Sequence, residues 1–153
     1  MQVPGLDFHE TCAPTCKPET MRILFTLAAQ WGLHLHQMDV KTAYLNSPLS
    51  ETVYMEQPEG FVEGRDKLCL LQRSLYGLKQ AGRDWNQTLS SFLEKAGFSR
   101  SKNNCCLFTK TTGDGICYVL VWVDDIIICC KDENHIAKLR KDFNQRFKMD
   151  DRG

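Results

Sequence analysis

The chain has no excess of either charge: its Lys and Arg total 19 and its Asp and Glu total 19. That balance excludes a global electrostatic pull toward nucleic acid or anionic membrane, so any such partner must meet a local surface. The opening stretch, "MQVPGLDFHETCAPTCKPET", lacks the apolar core of a signal peptide. No apolar run is long enough to span a bilayer. The expectation is an intracellular chain with no membrane partner. The eight cysteines include no C-x-x-C pair, and His9, His34, His36 and His135 do not stand at finger-like spacing from them. That spacing favours small buried or free thiols over a structural metal, and without a secretory signal a disulfide framework is not expected. Internal repeats and low-complexity segments are also absent.

The 153 residues, 42% hydrophobic and 25% charged, suit one domain with a real core. After an irregular lead-in over 1–17, the spacing predicts a helix over 18–31. Pro18 suits its first position, Met21, Leu24, Leu27, Ala28 and Trp31 share a face, and Gly32 stops it. Residues 33–40 alternate as a strand that ends near Asp39. Short strands follow at 53–57 and 67–72, joined by the turn-rich "PEGFVEGRD". A second amphipathic helix carries Ala81, Trp85, Leu89, Phe92 and Ala96 on one face, and Gly97 ends it. Trp85 reads as the core anchor of that helix. Strands at 105–110 and 116–123 flank "TTGDG", a hairpin signal. Another strand covers 126–130. A last helix over 132–147 is capped by Asp132 and buries Ile136, Leu139, Phe143 and Phe147. The implied fold class is α+β, with helices on one face of a largely antiparallel sheet.

The most apolar run, "YVLVWVDDIIICC", is interrupted by Asp124 and Asp125. A bland explanation is a tight turn at Asp124–Asp125, since turns accept Asp. Two-residue hairpins prefer Asn-Gly or Asp-Gly, however, and adjacent like charges repel. A third carboxylate, Asp39, also ends an apolar-lined strand. Strand-end carboxylates brought together would suit Mg²⁺, a hard cation that takes oxygen ligands and leaves room for substrate phosphates. Paired ions of this kind can activate an attacking oxygen and stabilise a leaving one. Residue types alone leave both explanations open.

Three segments, "MDVKTAYLN" (38–46), "SLYGLKQAGRDW" (74–85) and "VWVDDIII" (121–128), occur in an order and at separations that resemble the palm motifs of a reverse transcriptase. The longer words "HQMDVKTAYLNSPLSETVYMEQPEGF" and "SLYGLKQA" resemble specifically the RNA-directed DNA polymerase of copia-type long-terminal-repeat retrotransposons. The resemblance covers nearly the whole chain. It implies a palm-type antiparallel sheet and one partial reverse transcriptase domain over 1–153, with incomplete fingers and no thumb. It also implies nucleotidyl transfer from a dNTP to a primer 3′-hydroxyl, with two Mg²⁺ ions for which Mn²⁺ can substitute. The catalytic carboxylates would be Asp39, Asp124 and Asp125, and the Val40 backbone carbonyl would add a metal contact. Tyr44 would lie under the incoming sugar and crowd a 2′-hydroxyl. Gly77 would let the backbone approach the nascent base pair. Lys79 and Gln80 would touch template or nucleotide, or else form a solvated helix start. Trp122 and Val123 would lie near the primer end. The implied partners are an RNA or DNA template with primer, dNTP, and the fingers, thumb, RNase H and integrase domains of a polyprotein. The implied location is a cytoplasmic virus-like particle or the nucleus.

The chain departs from the family pattern in several places, among them "CCLF" and "IIICC", which are richer in cysteine than expected. Trp122 stands where tyrosine is usual, and Gly82 where many relatives have proline. A net-neutral palm without fingers or thumb should bind primer-template weakly, because phosphate contacts dominate such affinity. A non-catalytic relic or co-opted binding module therefore stands as an alternative, with a two-metal nuclease as a third.

Overall fold

A computed structural model describes residues 2–64 and 66–153. The elements are α1 (Pro18–Trp31), β1 (His34–Val40), β2 (Tyr54–Met55), β3 (Cys69–Leu70), α2 (Ala81–Lys95), β4 (Ser99–Arg100), β5 (Leu107–Thr112), β6 (Gly115–Trp122), β7 (Asp125–Cys130), α3 (Glu133–Arg146) and β8 (Met149–Asp151). A 3-10 turn covers Ala43–Asn46. Six strands form one sheet in the order β4-β5-β6-β7-β1-β8, and every pairing in it is antiparallel. β2 and β3 make a separate two-stranded ribbon, much shorter than the expected runs. The loop between them includes Arg65, which lies outside the described residues.

Local chemistry accounts for the main elements. Pro18 opens α1, and Gly32, at φ 60, closes it in the left-handed conformation. The Asp132 side chain accepts from the Asn134 backbone N–H at 2.9 Å and caps α3. The β5–β6 hairpin turns at Gly113–Asp114, as the glycine-rich stretch implied. β8 has no counterpart in the sequence reading. It forms because Met149 and Asp150 pair with Val40 and Asp39 at the sheet edge.

One expectation fails. The helices do not share a face. α2 and α3 bury Trp85, Leu89, Leu93, Ile136, Leu139 and Phe143 against Val119, Val121, Ile126 and Ile128. α1 lies on the opposite face, where Leu24 and Met21 pack with Cys16, Cys106, Leu120, Ile127 and Cys129. The central strands are apolar on both sides because both sides are covered. Trp31, placed on the inner stripe of α1, is 51% exposed.

The cysteines follow the packing. Cys129 and Cys130 point to opposite faces of the sheet. All eight are free thiols; Cys12 and Cys105 are exposed and Cys69 is half-buried. Burial pushes the Cys106 and Cys129 thiols up to about 12, and raises Cys117 further. A thiol reagent at neutral pH is therefore expected to label Cys12, Cys105 and then Cys69 in the folded chain. Cys16, Cys106, Cys117, Cys129 and Cys130 should react only after unfolding, as peptide mapping of the labelled sites would check.

Candidate metal and nucleotide site

The site is built where β1 and the β6–β7 hairpin end together. Pairing continues to Trp122 opposite Asp125. The turn is thus Val123–Asp124, one residue earlier than the expected Asp124–Asp125 turn, and Asp125 belongs to β7. The reason is register: β7 also pairs with β1 as far as Asp39 opposite Asp125, which commits Asp125 to the ladder. Val123 takes φ 57, in the left-handed region. Positive φ at the first turn position alone is the pattern of a type II′ hairpin, where glycine is the usual occupant.

Asp39 and Asp125 stand directly opposite on neighbouring strands, and Asp124 sits beside them in the turn. All three are partly exposed. The Val40 N–H donates to the Asp124 carbonyl at 2.9 Å, tying the turn to β1. The Gln37 amide donates to Asp125 Oδ1 at 3.0 Å. Among the described residues no Lys, Arg or His forms an ion pair with any of the three carboxylates. Like charges placed directly opposite in a sheet are destabilising, so this cluster carries an uncompensated repulsion.

Tyr76 is affected by two of these charges. Its hydroxyl pKa lies above 10.0, first through partial burial, then through the Asp124 charge, with Tyr44 and Asp39 adding to the rise and a backbone hydrogen bond from Ala43 opposing it. The Tyr44 and Tyr76 rings meet at 4.6 Å with a 47° tilt. The two tyrosine rings pack on each other, and Tyr76 feels the charges of Asp124 and Asp39. Acidic neighbours disfavour phenolate, so removing them should let Tyr76 ionise at lower pH. In metal-free buffer, Asp124→Asn is expected to lower the Tyr76 titration midpoint and Asp39→Asn to lower it by less. Tyrosine ¹³Cζ shifts followed against pH would measure both.

The remaining expected residues divide. Gly77 adopts φ +98 with open space around a notional Cβ, so glycine is required there by backbone conformation and not by crowding. Lys79 is exposed, and its backbone N–H is held by Gln2 Oε1 at 2.8 Å. Gln80 does not face the site. It is fully buried, donating to the Asp7 carbonyl at 3.0 Å and accepting from the Gln2 amide at 2.9 Å. Trp122 is 40% exposed beside Asp125 and lies with Phe25 and Met21 on the α1 side of the sheet. Trp85 is buried, and its indole N–H donates to the Val123 carbonyl at 2.6 Å. At Gly82 a Cβ would lie 3.0 Å from the Ala13 methyl, so glycine lets the lead-in strap lie close to α2.

Sequence reasoning passed over Tyr76, although it precedes Gly77 in a quoted motif. It also passed over Asp84, which is 4% exposed and accepts from Ser50 at 3.1 Å, Ser74 at 3.2 Å and Arg83 at 3.2 Å. That network pins the 47–51 loop and the segment before Gly77 to α2. A "RD" pair at the start of a helix gave no warning of it.

Among the described residues, no three His, Cys, Asp or Glu side chains close a metal cage by themselves. The donor set still fits Mg²⁺, which is ordinarily held by one or two carboxylates together with substrate phosphates and water.

Comparison with known proteins supplies the class of this α+β chain. The chain belongs to the reverse transcriptase (RNA-dependent DNA polymerase) family, whose profile matches residues 1–153. It is 41% identical over 99% of its length to the retrovirus-related Pol polyprotein from transposon TNT 1-94 of Nicotiana tabacum, covering 12% of that protein. It is 39% identical over 98% of its length to the corresponding polyprotein from transposon RE1 of Arabidopsis thaliana, covering 10% of it. It is 36% identical over 76% of its length to the putative transposon Ty5-1 protein of Saccharomyces cerevisiae, covering 38% of it. The chain thus spans about a tenth of the two plant polyproteins that it matches along nearly its whole length.

Proposed function

We propose that this chain is the palm region of a retrotransposon RNA-directed DNA polymerase and that its carboxylates serve nucleotidyl transfer. The observation that carries the reading is the cluster of Asp39, Asp124 and Asp125, without a cationic partner among the described residues, in a chain of the reverse transcriptase family. In this reading the primer 3′-hydroxyl attacks the α-phosphate of a dNTP and pyrophosphate leaves. Two Mg²⁺ ions, or Mn²⁺ in their place, would supply charge neutralisation for this transfer when bound. Asp39 and Asp124 would hold the ions, with the Val40 carbonyl as a further contact. Asp125, already held by Gln37, supports them.

Tyr44, backed by Tyr76, forms the floor under the incoming sugar and crowds a 2′-hydroxyl. Gly77 lets the backbone approach the nascent base pair, and exposed Lys79 meets template or nucleotide phosphate. Trp122 and Val123 border the primer end. Catalysis is mainly positioning and electrostatic stabilisation. The partners are an RNA or DNA template with primer and the other domains of a polyprotein: fingers, thumb, RNase H and integrase. The exposed Tyr54 and Leu70 of the β2–β3 ribbon, with Leu68 just before β3, support packing against such a domain. The reaction takes place inside the cell, in a cytoplasmic virus-like particle or in the nucleus. Zero net charge supports weak primer-template binding by this chain alone.

The test is primer extension with protein in excess over template, by this chain and by a longer polyprotein that contains it. Little or no Mg²⁺-dependent incorporation by the chain alone and robust incorporation by the polyprotein are expected, the latter lost in Asp39→Asn. Undiminished incorporation by Asp39→Asn would contradict the site. A folded polyprotein that binds primer-template without extending it would favour the non-catalytic binding module.

A further inference from the structure

The hairpin that presents Asp124 depends on an unfavourable backbone. Val123 is β-branched and sits at φ 57. Such residues avoid the left-handed region, because Cβ crowds the following carbonyl. A conformation of this kind persists only where its surroundings hold it.

Two donors hold this one. The Val40 N–H takes the Asp124 carbonyl at 2.9 Å, and the Trp85 indole N–H takes the Val123 carbonyl at 2.6 Å. The first bond fixes the turn to the strand that carries Asp39. The second comes from α2, a separate element. Trp85 is 2% exposed and stands edge-on to Phe147, with ring centroids 5.4 Å apart and planes at 81°. Its indole thus has little freedom to turn away, and its N–H has little water to turn to. A buried donor without an acceptor is costly, so the bond couples the core directly to the turn.

We propose that Trp85 is a positioning residue, whose indole N–H keeps Val123 in the left-handed conformation and so holds Asp124 toward Asp39. This rests on the metal-site reading for its consequence, but not for its geometry. Packing alone would be served by Phe; the hydrogen bond would not. Glycine at 123 would remove the need for the bond, because it adopts positive φ freely and suits the first position of a II′ turn.

The experiment compares the native chain with Trp85→Phe, Val123→Gly and the double variant, in labelled protein. The first readout needs no metal. In Trp85→Phe the Val123 ¹³Cα and ¹³Cβ shifts are expected to move from positive-φ values toward ordinary strand values. Unchanged Val123 shifts would overturn the proposal. The second readout is Mn²⁺ affinity, expected to fall about fivefold in Trp85→Phe, the equivalent of one hydrogen bond. Adding Val123→Gly should restore it to within about twofold by relieving the turn. A Trp85→Phe chain that melts earlier yet keeps its Mn²⁺ affinity, or a double variant that is not rescued, would reduce Trp85 to packing. Asp39→Asn separates the two ideas. If it binds Mn²⁺ as tightly as the native chain, the metal-site reading fails, and the Val123 shifts still decide the role of Trp85.

Discussion

In a longer polyprotein that contains this chain, Asp124→Asn is expected to cut single-turnover nucleotide incorporation by at least about a thousandfold, the rate equivalent of the several kcal/mol that metal-assisted charge stabilisation supplies. The side chain keeps its size, and the Asp124 backbone carbonyl still accepts from Val40, so the hairpin should fold. Only the negative charge is lost. Asp125→Asn should cost far less, about tenfold, the scale of a supporting contact to a metal ligand. Asp125 is committed to the ladder opposite Trp122 and Asp39, and one oxygen is already taken by Gln37. An asparagine oxygen can accept that same bond. Equal losses in the two variants would mean that both carboxylates bind metal directly. Repulsion relief should also make each variant slightly more stable than the native chain in metal-free buffer, which thermal melting would detect.

Phe143→Ala should destabilise the chain by about 3–5 kcal/mol, the usual cost of emptying a large aromatic site in a close-packed core. Phe143 is fully buried on the inner face of α3. Its ring meets Phe92 of α2 at 4.8 Å and Phe147 at 6.4 Å, so it joins both helices that cover one side of the sheet. Phe147 in turn meets Trp85. The cavity would therefore loosen the support behind the hairpin as well as the helix pair. A fall in melting temperature of roughly 10 °C is expected for a chain of this size. Phe143→Leu, which keeps most of the volume, should lose much less.

The helical parts of this architecture were legible because burial follows the 3.6-residue period. Ile136, Leu139, Phe143 and Phe147 are all buried, and Asp132 caps their helix. The position of the turn was not legible. Whether Val123 or Asp125 leaves the ladder depends on how β7 pairs with β1, a contact distant in sequence. β8 was invisible for a related reason, since "MDD" has no apolar alternation and becomes a strand only beside Val40 and Asp39. The placement of α1 could have been read. The runs "YVLVWV" and "IIICC" do not alternate, and strands of that kind are covered on both faces. At the site, the motif residues Asp39, Asp124, Asp125 and Tyr44 were legible as types in order. Gln80 was misassigned because local sequence does not reveal that Gln2 and Asp7 fold back over it. Tyr76 was missed because its packing on Tyr44 and the effect of Asp124 and Asp39 on it exist only after folding.

The most direct test of the carboxylate site is a Mn²⁺ titration of the ¹⁵N-labelled chain, read by paramagnetic broadening. Broadening is expected first at Asp39–Lys41, Val123–Asp125 and Tyr76, and it should weaken strongly in Asp39→Asn and Asp124→Asn. Broadening spread evenly over the acidic surface, or an identical pattern in both variants, would contradict a metal site at these strand ends.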